Sequence, residues 1–177
     1  MQSTTHFTFR PLSMSDADVE LNYKWLNMPH IQKAYSRPSS VITKSEALEY
    51  LKQHLEKPMS SFTVLANDVP VGYIGLYAVK ECPWPEQDLP EEMVSRVAGL
   101  DLFIGEADKM GKGLGQSIIL KFLQEKIWPV FDYCMVDPMT HNKVAIHCFE
   151  KIGFKKHKIV HDRYAADVEL ALMMLKK

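Results

Sequence analysis

The sequence predicts an α/β (α+β) protein of one domain: a mixed, mostly antiparallel central sheet with helices on both faces. Three observations carry this. Two β-rich segments, 61–66 and 69–79, are separated by Asn67-Asp68 alone, which reads as an antiparallel hairpin. Residues 97–136 then run strand, Gly-rich turn, helix, strand. No repeat, low-complexity tract or linker-like stretch divides the 177 residues.

Each element has a local reason. FTFRPL at 7–12 alternates apolar and polar residues, as a strand does. Ser13 and Asp16 stand at capping-box spacing ahead of a helix over 16–26, with Val19, Tyr23 and Leu26 on one face. Pro29 restarts the chain into a short helical piece ending near Tyr35. Thr43 and Glu46 make a second capping box, and their helix, over 44–56, stops at Pro58. The Pro-rich acidic stretch 81–92 reads as loop, and VAGLDLFIG at 97–105 as strand. A helix over 113–126 carries Leu114, Ile118, Ile119, Phe122 and Leu123 on a wide apolar face that belongs against a sheet. Residues 133–136 form a short buried strand, and 141–151 a helix that Gly153 caps. Strands over 154–161 and 167–175 close the chain.

Composition narrows the function. With 46% hydrophobic and 24% charged residues the chain is ordinary globular protein. Its 21 Lys and Arg against 22 Asp and Glu argue against holding nucleic acid by bulk positive charge. No apolar run is long enough to span a membrane, and MQSTTHFTFRPL lacks the basic start and apolar stretch of a signal peptide. Cys82, Cys134 and Cys148 have no disulfide-framework spacing, so reduced thiols in a cytoplasmic protein are expected. His141, His147, His157 and His161 show no ligand spacing, and no metal is expected. No heptad decides between monomer and homodimer.

The strongest chemical signal is MGKGLGQ at 110–116, at the start of a helix. Gly111, Gly113 and Gly115 leave the backbone bare, so successive N–H groups can converge on one anion. Lys109 and Lys112 add charge. The spacing is neither a dinucleotide-binding fingerprint nor a Walker A loop. Read without a ligand, it is a turn needing positive φ. The second signal is NKVAIHCFEKIGF at 142–154, an amphipathic helix stopped by Gly153.

In this order, with a strand between, the two signals resemble the GNAT superfamily of acetyl-CoA-dependent N-acetyltransferases. The matching positions are Met110, Gly111, Lys112, Gly113, Leu114 and Gly115, then Asn142, Ala145, Phe149, Glu150, Lys151, Gly153 and Phe154. WLNMPHI at 25–31, GLDLFIGE at 99–106, GKGLG at 111–115 and VDP at 136–138 resemble its aminoglycoside 6′-N-acetyltransferase branch. The resemblance implies that the amides of Met110 to Gln116 hold the CoA pyrophosphate. It implies that the strand carrying Phe103 and Ile104 pairs with the pantetheine arm, and that Asn142 and Lys151 contact CoA. Met110 stands where the family has Arg or Gln, which matters little if backbone amides dominate. Phe149 stands where a Tyr often protonates the leaving thiolate, so that role is vacant.

Amide formation also needs a polarised carbonyl and an exit for the amine's proton. A strand N–H near Leu102 or Phe103 suits the first, and a carboxylate the second. Asp101 is the candidate, since Asp is depleted in strands. By alternation it shares a side with Phe103, toward a polar cleft, while Ala98, Leu100, Leu102 and Ile104 point the other way. A cross-strand salt bridge is the competing reading for Asp101, and turn capping for Asp137, which precedes Pro138. The resemblance implies base and aminoglycoside-binding roles for Asp101 and acceptor binding for Asp137. Between Glu81 and Asp108 eight acids face one Arg, a net charge of −7 that would attract a polycationic amine. Glu86 belongs to this run, and Trp84 either stacks on a sugar ring or clips the loop. Trp25, His30 and Tyr35 fall where the family builds its far acceptor wall, Trp25 reading as core and Tyr35 as the substrate contact.

The expected function is therefore direct acetyl transfer to a primary amine, the 6′-amine of an aminoglycoside antibiotic first. The same machinery would serve a siderophore hydroxylysine, a polyamine or a protein amine. A non-catalytic acetyl-CoA-binding sensor is the competing class, favoured by Met110 and Phe149.

Overall fold

The computed structural model describes residues 5–35, 41–163 and 165–177. The strands are β1 (Phe7–Pro11), β2 (Ser60–Ala66), β3 (Val69–Ala78), β4 (Val97–Ile104), β5 (Tyr133–Val136), β6 (Lys155–His161) and β7 (Glu169–Lys176). The helices are α1 (Asp16–Leu26), α2 (Pro29–Ala34), α3 (Lys44–Leu55), α4 (Glu91–Val94), α5 (Leu114–Phe122) and α6 (Lys143–Ile152). The strands form one mixed sheet in the order β1-β2-β3-β4-β5-β7-β6. β1 and β2, β5 and β7, and β6 and β7 are antiparallel, while β4 and β5 are parallel. The chain divides into two compact units, Met1–Gly75 with Leu102–Leu114, and Leu76–Asp101 with Gly115–Lys177. No helix among the described residues is long and apolar enough to cross a membrane.

In the first unit, α3 forms as its capping box requires. Thr43 accepts from the Glu46 amide, and Glu46 accepts from the Thr43 amide. α1 has the expected bounds but another cap. Ser15, not Ser13, accepts from the Asp18 amide. Ser13 is drawn elsewhere, since its hydroxyl donates to the Asp18 carboxylate at 2.6 Å. Asp18 also takes both outer nitrogens of Arg10, at 2.5 and 3.0 Å, so a buried carboxylate ties α1 to β1. Burial opposes ionisation of Asp18, but the Arg10 and Ser13 hydrogen bonds outweigh it and hold its carboxyl below the usual range. The core of this unit is built from Val19, Trp25, Leu26, Ile31, Ala47, Leu51, Tyr73 and Phe103.

Phe103 corrects the sequence reading of β4. Its ring is 6% exposed and stacks on Tyr73 with centroids 5.4 Å apart, so it is core and does not face a polar cleft. Alternation tells which residues share a side of a strand, not whether helices cover that side. The turn at Asn67 and Asp68 is left-handed at both residues, as a two-residue hairpin requires.

In the second unit, Val79, Trp84, Val97, Met135, Val160, Leu170 and Leu172 make the core. The stretch after β3 is more ordered than a loop. It contains 3-10 turns at Val79–Glu81 and Pro85–Gln87 and then α4. α5 ends at Phe122, before the expected 126, and the chain continues as a π-type turn over Leu123–Ile127. α6 starts at Lys143 rather than at 141, because Asn142 is its N-cap and accepts from the Ala145 amide at 3.2 Å. Gly153 closes α6 at φ 112°, as expected.

Candidate functional site

The chemistry of the second unit gathers where β4 and β5 part. Their parallel register pairs Val97 with Tyr133, Ala98 with Cys134 and Gly99 with Met135. Asp101 and Asp137 each lie two residues past the last pair, close enough for the charge of Asp101 to act on Asp137. The chain after β5 is pinned to β7. Pro138 accepts from the Ala171 amide at 2.8 Å, and Met139 bridges Leu170. Asp101 thus lies within β4, and Asp137 directly follows the carboxyl end of β5.

A tyrosine completes this group. The ring of Tyr77, from β3, lies across Gly99, where an added Cβ would collide with its Cζ, Cε1 and hydroxyl. Burial first, then the carboxylates of Asp137 and Asp101, raise the Tyr77 hydroxyl above its ordinary value, so it remains a phenol and can donate. Asp137 is half-buried, and its carboxyl is pushed up to about 6. Burial is the largest cause, the charges of Asp101 and Asp162 add to it, and Arg163 opposes them. Like carboxylates forced together without full compensation favour a cation between them.

Asp162 and Arg163 lie in the turn between β6 and β7. That turn is held by the Asp162 amide donating to Val168 and by the Ala165 amide donating to the Asp162 carboxylate, at 2.8 and 2.9 Å. Sequence reasoning missed Tyr77, Asp162 and Arg163. A glycine inside β4 was the available signal for Tyr77, since it marks a close approach.

Trp84 is 9% exposed and packs in the core of this unit, as a loop clip would. Glu86 accepts from the His161 amide at 2.7 Å, and that hydrogen bond holds its carboxyl below the usual range. Asn142 uses its side-chain oxygen on α6, and Lys151 is exposed on the same helix. Phe149 is buried edge-on against Phe154, with centroids 5.4 Å apart.

In the first unit, the strand end and the glycine loop stand as follows. The Phe103 carbonyl lies against Gly72 of β3. Tyr35 donates to the Leu102 carbonyl at 3.4 Å, and His30 to the Ile104 carbonyl at 2.9 Å. Tyr35 also meets the Phe103 ring edge-on at 6.2 Å. Glu106 is held by Lys24 and by the Trp25 indole N–H, so this acid of the loop run is already neutralised. Gly111 and Gly113 have φ of 71° and 75°, and a Cβ on either would meet nothing within 4 Å. Glycine is thus required by backbone conformation, not by crowding. Open space lies over the loop, which leads into the first-turn amides of α5 through Leu114, Gly115 and Gln116. Lys112 stands between the two positive-φ glycines. Among the described residues no group of three or more His, Cys, Asp or Glu could hold a metal ion.

The family model described as an acetyltransferase (GNAT) domain matches residues 14–161. The aminoglycoside N(6′)-acetyltransferase type 1 proteins of Klebsiella pneumoniae and Serratia marcescens are each 29% identical over 154 residues, 83% of this chain and 74% of theirs. The crystal structure of aminoglycoside acetyltransferase AAC(6′)-Ib in complex with coenzyme A and kanamycin superposes with a TM-score of 0.76 at 26% identity, covering 97% of this chain and 95% of that one. An uncharacterized protein from Bacillus halodurans gives a TM-score of 0.83 at 26% identity, covering 97% and 84%.

Proposed function

The chain belongs to the GNAT acetyltransferase family, and we propose that it transfers acetyl from acetyl-CoA to a primary amine of a cationic acceptor, the 6′-amine of an aminoglycoside first. The observation that carries this reading is the mutual influence of Asp101, Asp137 and the phenol of Tyr77. The relatives named for aminoglycoside 6′-acetylation support the choice of acceptor.

Acetyl-CoA, when bound, supplies the activated acetyl group. The amides from Met110 through Gln116, with Lys112, hold its diphosphate. The backbone of Phe103 and Ile104 lines its arm, and an N–H near Leu102 or Phe103 polarises the carbonyl under attack. Asn142 and Lys151 are assigned to the cofactor on the family resemblance. Asp101 takes the proton as the amine becomes nucleophilic, and Asp137 holds an ammonium of the acceptor. The Tyr77 hydroxyl stays protonated beside these carboxylates. Trp84 shapes the acceptor end through its packing, Glu86 adds to the acidic field, and Tyr35 braces the strand at Leu102. With Phe149 in place of a tyrosine, the thiolate leaves without that residue's proton, which a thiol pKa near 8.5 tolerates.

The test is free-thiol release from acetyl-CoA with kanamycin and tobramycin, beside spermidine, hydroxylysine and a Lys peptide. Saturable release with the aminoglycosides is expected. Asp101→Asn should lower kcat about a hundredfold or more, and Asp137→Asn should mainly raise the acceptor KM. Release with a different amine alone would replace the acceptor. Acetyl-CoA binding with no release to any amine would overturn the catalytic reading.

A further inference from the structure

Two side chains of the first unit grip the backbone at the end of β4. The Gly105 amide donates to the Val71 carbonyl of β3 at 2.8 Å, and the Phe103 carbonyl lies against Gly72. Phe103 and Gly105 therefore turn their backbone groups toward β3. By alternation Leu102 and Ile104 turn theirs to the opposite edge, beyond the residues Val97 to Gly99 that pair with β5. Along that edge the groups run N–H, C=O, N–H, C=O. Each carbonyl is met by a side chain. Tyr35 donates to Leu102 at 3.4 Å, and Nε2 of His30 donates to Ile104 at 2.9 Å. A carbonyl only accepts, so the neutral imidazole carries its proton on Nε2. The spacing suits both contacts, since five helical residues rise about 7.5 Å and two strand residues about 6.8 Å. The donors are themselves anchored. Pro29 starts α2, Ile31 is buried in the core, and the Tyr35 ring meets Phe103 edge-on. The peptide joining Ile104 to Gly105 is thus held at both ends, by His30 on its oxygen and by Val71 on its nitrogen.

A bare strand edge offers an incoming carbonyl oxygen an amide flanked by carbonyl dipoles that repel it. A donor on each flanking carbonyl offsets that repulsion. The edge then favours acceptors, most of all an oxygen that gains negative charge. We propose that His30 is a positioning residue for acetyl transfer: its Nε2–H fixes and offsets the Ile104 carbonyl, so that the outward amides of Leu102 and Ile104 polarise the thioester carbonyl. The inference rests on the reading of β4 as the strand that lines the arm of acetyl-CoA.

The experiment compares the wild type with H30L, with H30Q, whose amide nitrogen still donates, and with Y35F, which keeps its ring on Phe103. Acetyl-CoA isotope-labelled at the thioester carbonyl is bound without acceptor and read by infrared spectroscopy. The carbonyl stretch should lie below its solution frequency in the wild type and H30Q, and close to the solution value in H30L. In thiol release H30L should lose roughly tenfold in kcat while the KM for acetyl-CoA changes less than about threefold, and H30Q should recover most of the loss. Y35F should act in the same direction but more weakly, because its hydrogen bond is longer. Nitrogen NMR of the ligand-free protein should find the neutral His30 ring protonated on Nε2. The Nδ1–H tautomer, a carbonyl stretch that is the same in all four proteins, or equal losses in H30L and H30Q would overturn the proposal. The infrared measurement needs no acceptor, which separates it from the acceptor assignment. A stretch that follows His30 without turnover of any amine would refute the catalytic reading and support His30's role. Turnover of an aminoglycoside with stretch and kcat unchanged in H30L would do the reverse. No binding of acetyl-CoA to any of the four proteins would overturn both.

Discussion

Replacing Asp137 with asparagine should stabilise the protein, and increasingly so as the pH rises. The Asp137 carboxyl is pushed up to about 6 from an ordinary value near 3.8. Two pH units of displacement correspond to about 3 kcal/mol. The sign follows from which state holds the proton. Below about pH 4 the group is protonated in both states and has no effect on folding. Between about pH 4 and 6 the folded state keeps a proton that the unfolded chain has lost, so stability falls as pH rises. Above pH 6 the whole cost is present. About half of it has accrued at pH 5, so the variant should gain about 1.5 kcal/mol on the wild type between pH 5 and pH 8. Asparagine keeps the shape, and any hydrogen bond it alters shifts the difference by a constant. Urea unfolding at four or five pH values measures it. A difference that stays flat across that range would refute the claim that burial and neighbouring carboxylates strain this group. The same substitution should weaken acceptor binding, because a carboxylate that costs stability in the free protein is the one that a cation relieves.

Three further outcomes follow from the geometry. Gly99→Ala should cost about 1–3 kcal/mol, because its Cβ meets the Tyr77 ring, and most of that cost should vanish in a Tyr77→Ala background. Gly113→Ala should cost about 1–2 kcal/mol through its φ of 75° alone, seen in thermal unfolding, and should raise the KM for acetyl-CoA more than that for the acceptor. Arg10→Met should cost about 2–3 kcal/mol, less than the about 3–5 of a fully buried pair, since Arg10 is 40% exposed. That loss should shrink on acidification in urea titrations. The Asp18 carboxyl is held low in the wild type, so its contribution is present above the unfolded pKa and fades as pH falls through the folded one.

The sequence by itself determined what depends on neighbours a few residues away. The Thr43–Glu46 box, the Asn67-Asp68 turn and the Gly153 cap are all settled within one or two turns of chain. The glycine loop at 111–115 was legible for the same reason, since a left-handed backbone narrows the choice of residue locally. That Asp101 is an acid inside a strand was legible too. What only the tertiary structure decided involves partners far apart in the chain. Ser13 lost the α1 cap because Asp18 collects it together with Arg10 from another element. Phe103 became core because helices cover its side of the strand. Asp137 became a strained acid, and Tyr77 a fixed phenol, only when the sheet brought β3, β4 and β5 together with the turn carrying Asp162 and Arg163. Burial and Coulomb energy depend on distance in space, which local residue pattern does not encode.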